Sequence, residues 1–552
     1  MKILGHSFED GKITFEAENF VIRLKVKKIP EGYIISGEIK GKPKRVEIFR
    51  TEMPEIFFIN NWQSWGPAKK MKRGEKLKIP EKILENFGYG FNPNPHLFEQ
   101  NVVSDYFYGE KKLVVGFLSS KYAHPFFLFD GHEVVGYLDY FEATYEDFIP
   151  LEPLIILHGN LDDLLPVYAE YVKLKNNLQI TKRNPVGWSS WYQYFSKLTW
   201  EDILKNLGLA KEYLYEVFQI DDSWEIDIGD WQPNEKFPPL EEMAKTIRKH
   251  GFIPGIWIAP FSVSETSLLA KNHKDWLVKD ENDSPLLAYR NWNKNIYALD
   301  ITNEEAAKWL KNIFKRLKDA GFEYFKIDFL FAGAIPGKRH LNISPIEAYR
   351  LGLKFIREVV EDSFILGCGA PLLPSVGLVD GMRIGPDTAP YYNPETPGAF
   401  IPNAFYALRN TITRYYMNGK WWWNDPDCLL LRNIDTELNL WEKKAYAFVS
   451  GMLNNMIIQS DDLSLSIERY LLDSALKLRG GRAFVKGLME EVYEIFAEGT
   501  GIGNVKLRIN LKKERSELSV DEKSIKLLKQ VKTKGDGRKF NYYQQKGDDK
   551  DA

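Results

Sequence analysis

A chain of 552 residues with 44% apolar and 27% charged side chains is globular and too long for one ordinary core, so two to four domains are expected. Its net charge of −2 gives no basic field for nucleic acid and no single-sign surface for a charged polymer, which leaves a neutral small molecule as the fitting partner. No run reaches the roughly 18 to 20 consecutive apolar residues of a membrane span, no signal-peptide core follows Met1, and the two cysteines, Cys368 and Cys428, fit a reducing, cytoplasmic setting.

The chain opens on short alternating segments. Ile22 to Lys27 is strictly period two, and Tyr33 to Ile39 and Val46 to Phe49 follow in the same manner, so residues 1–178 are expected to form an antiparallel β-sandwich. Within it Asn60-Asn61-Trp62-Gln63-Ser64-Trp65-Gly66-Pro67 places two tryptophans in a turn-rich segment where burying both is difficult. The mostly polar stretch 175–185 marks the boundary.

Strands and helices then alternate. Strand candidates are Gly187 to Trp191, Glu216 to Asp221, Ile253 to Pro260, Tyr324 to Phe331, Phe364 to Cys368, Asp380 to Ile384, Trp421 to Trp423 and Asn455 to Gln459. The clearest helix starts at Thr302 with the capping box Thr302-Asn303-Glu304-Glu305, carries the apolar stripe Ala306, Trp309, Leu310, Ile313, Phe314 and Leu317, and stops at Gly321. It feeds the strand that holds Asp328. Eight such units predict a central (β/α)8 TIM barrel over residues 179–478, with an interval between the fifth and sixth strands too short for a full helical crossover. Residues 479–532 read as a small all-β domain, in which Gly499 to Gly503 is a hairpin turn, and 533–552 as a polar tail. The whole is a multidomain α/β chain.

Strand ends carry the chemistry in such a barrel, and here they carry Trp191, Asp221 with Asp222, Trp257, Lys326 with Asp328, Cys368, Arg383 with Asp387, Asp425 with Asp427, and Asp461 with Asp462. A lone strand-end Asp is most often a cap or a turn residue; so many at equivalent positions call for another account. Asp328 interrupts an apolar, aromatic strand, a costly place for a carboxylate unless it is paired or opens to solvent. Glycoside cleavage needs a carboxylate and a carboxylic acid on either side of an oxocarbenium-like centre, and Asp328 with Asp387 can supply both. Lys326 shares a strand face with Asp328 and can hold it ionised or serve as a plain ion-pair partner. Asp221 and Asp222 could bind a sugar, hold a cation or cap a helix. With few supporting ligands and no His-x-x-x-His pair beside a Glu, no metal site and no cofactor is expected. The 15 tryptophans suit C–H faces of a carbohydrate, and a Trp-rich core explains them equally well.

Phe218-Gln219-Ile220-Asp221-Asp222-Ser223-Trp224, Gly229-Asp230-Trp231, Phe237-Pro238, Gly255-Ile256-Trp257-Ile258-Ala259-Pro260-Phe261 and Lys326-Ile327-Asp328 together resemble the α-galactosidases of glycoside hydrolase family 36, in its compact bacterial branch. The resemblance covers nearly the whole chain. It implies Asp328 as nucleophile and Asp387 as acid/base, with retention at the anomeric carbon. It further implies Asp221 and Asp222 as readers of the galactose hydroxyls, Trp257, Lys326, Cys368 and Arg383 as pocket lining with Trp191, and Trp65 as a wall reaching over from the sandwich, where it could instead be an interface aromatic. The chain departs from longer members at Gly367-Cys368-Gly369-Ala370-Pro371, at Ile384-Gly385-Pro386-Asp387 and at Gln193, where a His would be expected. The expected function is a retaining α-galactosidase acting on oligosaccharides such as melibiose and raffinose. The alternatives are a transglycosylase of the raffinose or stachyose synthase type and a non-catalytic sugar-binding protein.

Overall fold

The computed structural model describes residues 2–3, 6–7, 11–93, 102–395, 400–520 and 523–528, so the tail read at 533–552 lies outside the described residues. Two antiparallel sheets, of nine and six strands, make the amino-terminal part. In the strand Phe20–Ile29, Ile22, Leu24 and Val26 are buried while Arg23, Lys25 and Lys27 face solvent, which is how period-two patterning builds a one-sided core. A helix over Leu161–Lys175 follows the last of these strands, Leu154–His158. No helix among the described residues is long and apolar enough to cross a membrane.

Eight parallel strands come next: β1 (Val186–Ser189), β2 (Val217–Ile220), β3 (Ile253–Ile258), β4 (Tyr324–Ile327), β5 (Phe364–Gly367), β6 (Gly381–Arg383), β7 (Trp423–Asp425) and β8 (Ile457–Gln459). Parallel ladders join consecutive strands from β1 to β7 and return from β8 to β1. The seam between β7 and β8 is drawn together by the Met456 N–H on the Asn424 carbonyl (2.9 Å) and the Leu429 N–H on the Ile458 carbonyl (2.7 Å). The β5–β6 crossover holds one helical turn, Leu372–Ser375, as its short sequence interval implied. Five antiparallel strands, from Arg482–Lys486 to Lys523–Leu528, close the chain, and the glycine-rich run 499–503 is the turn between two of them.

Several local readings need correction. The helix before β4 spans Glu304–Ala320 and its cap is Asn303, whose side-chain oxygen accepts from the N–H groups of Glu305 (2.9 Å) and Ala306 (3.2 Å). Thr302 is instead engaged with Asp300 (2.6 Å), leaving the cap to the residue type that competes best for it. Strand β1 ends at Ser189, so Trp191 opens a short helix, Trp191–Tyr194. Strand β7 starts at Trp423; Trp421 and Trp422 are buried in the preceding turn, with indole N–H groups on Ala169 O (3.1 Å) and Asn424 Oδ1 (3.0 Å). Trp62 is fully buried despite its turn-rich setting, because its indole finds the Phe91 carbonyl. Two insertions carried no sequence signal: a hairpin of Glu225–Asp227 with Asp230–Pro233 after β2, and a three-stranded sheet of Ser262–Ser264, Leu287–Asn291 and Lys294–Ala298 after β3.

The sandwich is sewn to the barrel along the 60–68 segment. Ser64 N–H donates to Ala370 O (2.9 Å), Leu372 N–H to Trp62 O (2.8 Å), and the Asn410 amide to Gly66 O (2.8 Å). At the centre lies Arg414, wholly buried, which donates to Asn60 Oδ1 (2.7 Å), Ser64 O (2.6 Å) and Asn61 O (3.3 Å) on one side and to Ile384 O (2.7 Å), just past β6, on the other. Burial pulls its pKa down to about 10, so it remains a cation at neutral pH. Replacing it by methionine keeps the volume and strands these acceptors without donors. Arg414→Met is expected to lose about 3–5 kcal/mol of unfolding free energy, since each buried orphan costs about 1–3 kcal/mol. Urea unfolding monitored by circular dichroism measures it, and a loss under about 0.5 kcal/mol, the level of an ordinary surface change, would remove Arg414 from this role.

Candidate active site

Strand β4 delivers two charges to the barrel rim. Lys326 lies within the strand, 6% exposed, and its Nζ sits 2.8 Å from Asp221 Oδ2, a group that follows β2. Burial is the largest influence and works against this ammonium, but Asp221, with Cys368 and Asp328, outweighs it, and the lysine is held well above its usual pKa. Asp328 follows the strand. Its Oδ2 accepts from the Trp257 indole N–H (3.1 Å) and its Oδ1 from the N–H of Phe329 (2.7 Å). Phe329 adopts a left-handed conformation, φ 50°, and that turn folds its own N–H back onto the carboxylate. Trp257 is the β3 residue in register with Lys326, which is why its ring stands beside both charges.

The paired aspartates after β2 behave differently from each other. Asp221 is 2% exposed and is saturated: Ser189 Oγ (3.2 Å), Gln219 Nε2, Lys326 Nζ and the N–H of Asp222 (3.0 Å) all donate to it. Asp222 is 8% exposed and takes the indole N–H of Trp292 at 2.8 Å. Behind it the Glu225 carboxyl is driven well above the carboxylate range, first by burial and then by the charge of Asp222, so it remains protonated and shares a hydrogen bond with that aspartate.

The third group gathers on β6 and β7. The Arg383 guanidinium contacts Asp387 Oδ1 (3.2 Å), Asp425 Oδ2 (3.0 Å) and Asp427 Oδ1 (2.8 Å). Asp387, the most open of the three with a side chain 29% exposed, is raised to about 6 by burial and then by the charge of Asp427, against the pull of Arg383. Cys368, after β5, is a buried thiol pushed upward by burial and by Asp328, and therefore neutral. The other strand-end pair is committed elsewhere: Asp461 to Arg432 (3.1 Å) and Asp462 to Lys205 (2.7 Å). No cluster of three or more potential metal ligands exists among the described residues.

Aromatic side chains pack beside these charges. Trp65 packs against Phe329 (5.5 Å between centroids) and Phe331 (5.9 Å), and it lies so close to Gly369, φ +55°, that a Cβ there would stand 2.7 Å from the indole. Trp191 stacks edgewise on Phe195 (5.3 Å) and, among the described residues, joins no hydrogen bond or ion pair of the carboxylate network. The arrangement thus joins Asp221, Asp222, Trp257, Lys326, Asp328, Cys368, Arg383, Asp387 and Trp65 around one end of the barrel. Sequence reasoning overlooked Trp292 and Glu225, and it noted Asp425 and Asp427 without giving them a role. Trp292 with Asn293 forms a hairpin tip, both residues at positive φ, 51° and 55°. A bulky residue in that conformation costs about 1–2 kcal/mol, offset here by the bond to Asp222 and by packing on Phe329 (5.1 Å).

Comparison with known proteins fits this geometry. Residues 25–158 match the family described as "Alpha-galactosidase, N-terminal" and residues 155–361 the family described as "Melibiase". Alpha-galactosidase 1 of Pediococcus pentosaceus is 27% identical over 191 residues, 31% of this chain and 25% of that protein. Alpha-galactosidase AgaA of Geobacillus stearothermophilus is 26% identical over 199 residues, 33% of this chain and 26% of that protein. The chain therefore spans about a quarter of the length of these curated relatives. Among solved structures, the α-galactosidase of Thermus thermophilus, in complex with p-nitrophenyl α-D-galactopyranoside, aligns with a TM-score of 0.71 and 26% identity over 88% of this chain and 98% of its own. With both family matches adjoining across sandwich and barrel and the same architecture in that neighbour, the chain carries the two α-galactosidase family regions and resembles glycoside hydrolase family 36.

Proposed function

We propose that the protein is a retaining α-galactosidase that removes terminal α-linked galactose from small oligosaccharides of the melibiose and raffinose type. The observation that carries this reading is a pair of neighbouring carboxyl groups with unlike surroundings at one end of the barrel: Asp328, an acceptor for two N–H groups, and Asp387, raised to about 6 and able to donate. Further support comes from the Thermus thermophilus α-galactosidase, solved with an aryl α-galactoside and with stachyose.

In this reading an Asp328 oxygen attacks the anomeric carbon as the glycosidic bond breaks, and the departing oxygen takes the proton of Asp387. Water then attacks the same carbon, gives its proton to the Asp387 carboxylate and releases Asp328, so that two inversions add to retention. The Trp257 indole and the Phe329 N–H fix the attacking carboxylate, and water is thinned by the Trp65, Phe329 and Trp292 rings. Asp222 and Lys326 read sugar hydroxyls. Asp221, with four donors already on its two oxygens, acts by holding both of them in place. No cofactor enters the scheme. A cytoplasmic setting belongs to the same reading, supported by two free, buried thiols, Cys368 and Cys428.

Proton NMR of the first turnovers should show α-galactose appearing before its anomer, with p-nitrophenyl α-galactoside cleaved about 10³-fold or more faster, in kcat/KM, than the glucoside, the discrimination expected of a site built to hydrogen-bond a hydroxyl. First release of the β-anomer would exclude the double displacement. Transfer to sugar in place of water at low acceptor concentration would favour a transglycosylase, and failure of either sugar to react would favour a binding protein.

Removing the acid should discriminate by leaving group. Asp387→Ala is expected to reduce kcat/KM for raffinose by about 10²–10⁴-fold, the usual weight of general acid catalysis, while the aryl substrate, whose phenolate needs little protonation, loses far less. Steady-state rates on the two substrates test this, and equal losses would assign Asp387 a structural role.

A further inference from the structure

Asp387 competes for its cation. Arg383 is 2% exposed and its guanidinium faces three carboxyls, so one positive charge answers three potential negative ones, and the contact with Asp387 is the longest of the set. Asp427 has the strongest claim on it. It is 1% exposed, adopts φ 78°, is ion-paired with Arg383, and its two oxygens accept from the Tyr192 hydroxyl, from its own neighbour Cys428 N–H (2.7 Å) and from Thr388 N–H (2.7 Å). Thr388 directly follows Asp387. Asp427 is therefore tied to the acid/base twice, through a shared guanidinium and through the adjoining backbone.

We propose that Asp427 is the positioning residue that keeps Asp387 protonated, by drawing Arg383 toward itself and by anchoring the chain at Thr388. The proposal rests on Asp387 being the acid/base. A left-handed, fully buried aspartate is an expensive element, and neither the barrel ladder nor the hydrophobic core asks for it. The charged and titratable groups around Asp387 are Arg383 at the end of β6, Asp425 at the end of β7 and Asp427 beyond it, Lys326 in β4 and Asp328 after it, and Cys368 after β5. Among the neighbouring charges Asp427 acts most strongly on Asp387, ahead of Arg383, Asp328 and Lys326. The sign follows: loss of the Asp427 charge releases Arg383 to Asp387, the carboxyl gives up its proton at lower pH, and the acid form is lost sooner as pH rises.

The test is the pH dependence of kcat/KM on raffinose, whose alkaline limb in the parent should lie near the Asp387 value of about 6. In Asp427→Asn that limb should move down by about one pH unit or more, the size of effect a close charge produces. In Tyr192→Phe, which removes a donor and concentrates charge on Asp427, it should move up. A limb unchanged in a folded Asp427→Asn variant, with parent-like circular dichroism, overturns the proposal; if that variant does not fold, an unmoved or lowered limb in Tyr192→Phe overturns it. Asp387→Ala separates the two readings: persistence of the parent limb in that variant shows that Asp387 was misassigned, whereas its disappearance there with no shift in Asp427→Asn defeats the positioning role alone.

Discussion

The structure turns on the cost of placing like charges at a nearly dry barrel rim. Asp221, Asp328, Asp387, Asp425 and Asp427 crowd the ends of β2, β4, β6 and β7, where each ion removed from water costs several kcal/mol unless partners replace the lost hydration. Arg383 and Lys326 provide the charge, and indole, hydroxyl and backbone N–H groups provide the rest. Much of the local backbone answers to this demand. Phe329 and Asp427 adopt left-handed conformations that turn N–H groups onto carboxylates, and the hairpin after β3 twists through Trp292 to bring one more donor to Asp222.

A second consequence is the division of labour between chemically identical side chains. Asp221 and Asp222 are neighbours in sequence, yet one is filled with donors, Lys326 among them, and the other takes the Trp292 indole beside a protonated Glu225. Asp328 and Asp387 are likewise separated by their surroundings: the first receives two N–H groups, the second shares its cation with two competitors. Environment, more than residue type, assigns acceptor and donor roles on this rim.

The parts legible in the sequence were those written in local period and local cost. Alternation in Ile22 to Lys27 located a strand, the stripe from Ala306 to Leu317 located the helix before β4, and the cost of a carboxylate in an apolar, aromatic run marked Asp328, although the strand stops one residue before it and not at Phe331. Where one residue had to be chosen over its neighbour, Asn303 over Thr302 or Trp423 over Trp421, the decision belonged to partners elsewhere, Asp300 in the first case and Ala169 in the second. Arg414 gave no local signal because its acceptors lie more than 300 residues earlier in the chain as well as at Ile384. Trp292 sits on an insertion with no regular period, and its importance comes from a contact 70 residues away. Asp427 was visible at a strand end, but the competition for Arg383 needs three-dimensional proximity.

The seam between sandwich and barrel also limits how the cleft can move. Its bonds run from Trp62, Ser64 and Gly66 to Ala370, Leu372 and Asn410, and Trp65 rests against a glycine with no room for a side chain. The two bodies meet beside the rim carboxyls themselves, so they cannot swing apart without pulling that wall away from them. A hinge between sandwich and barrel is therefore the wrong picture: any opening has to take place within the barrel rim, with the Trp65 wall left standing.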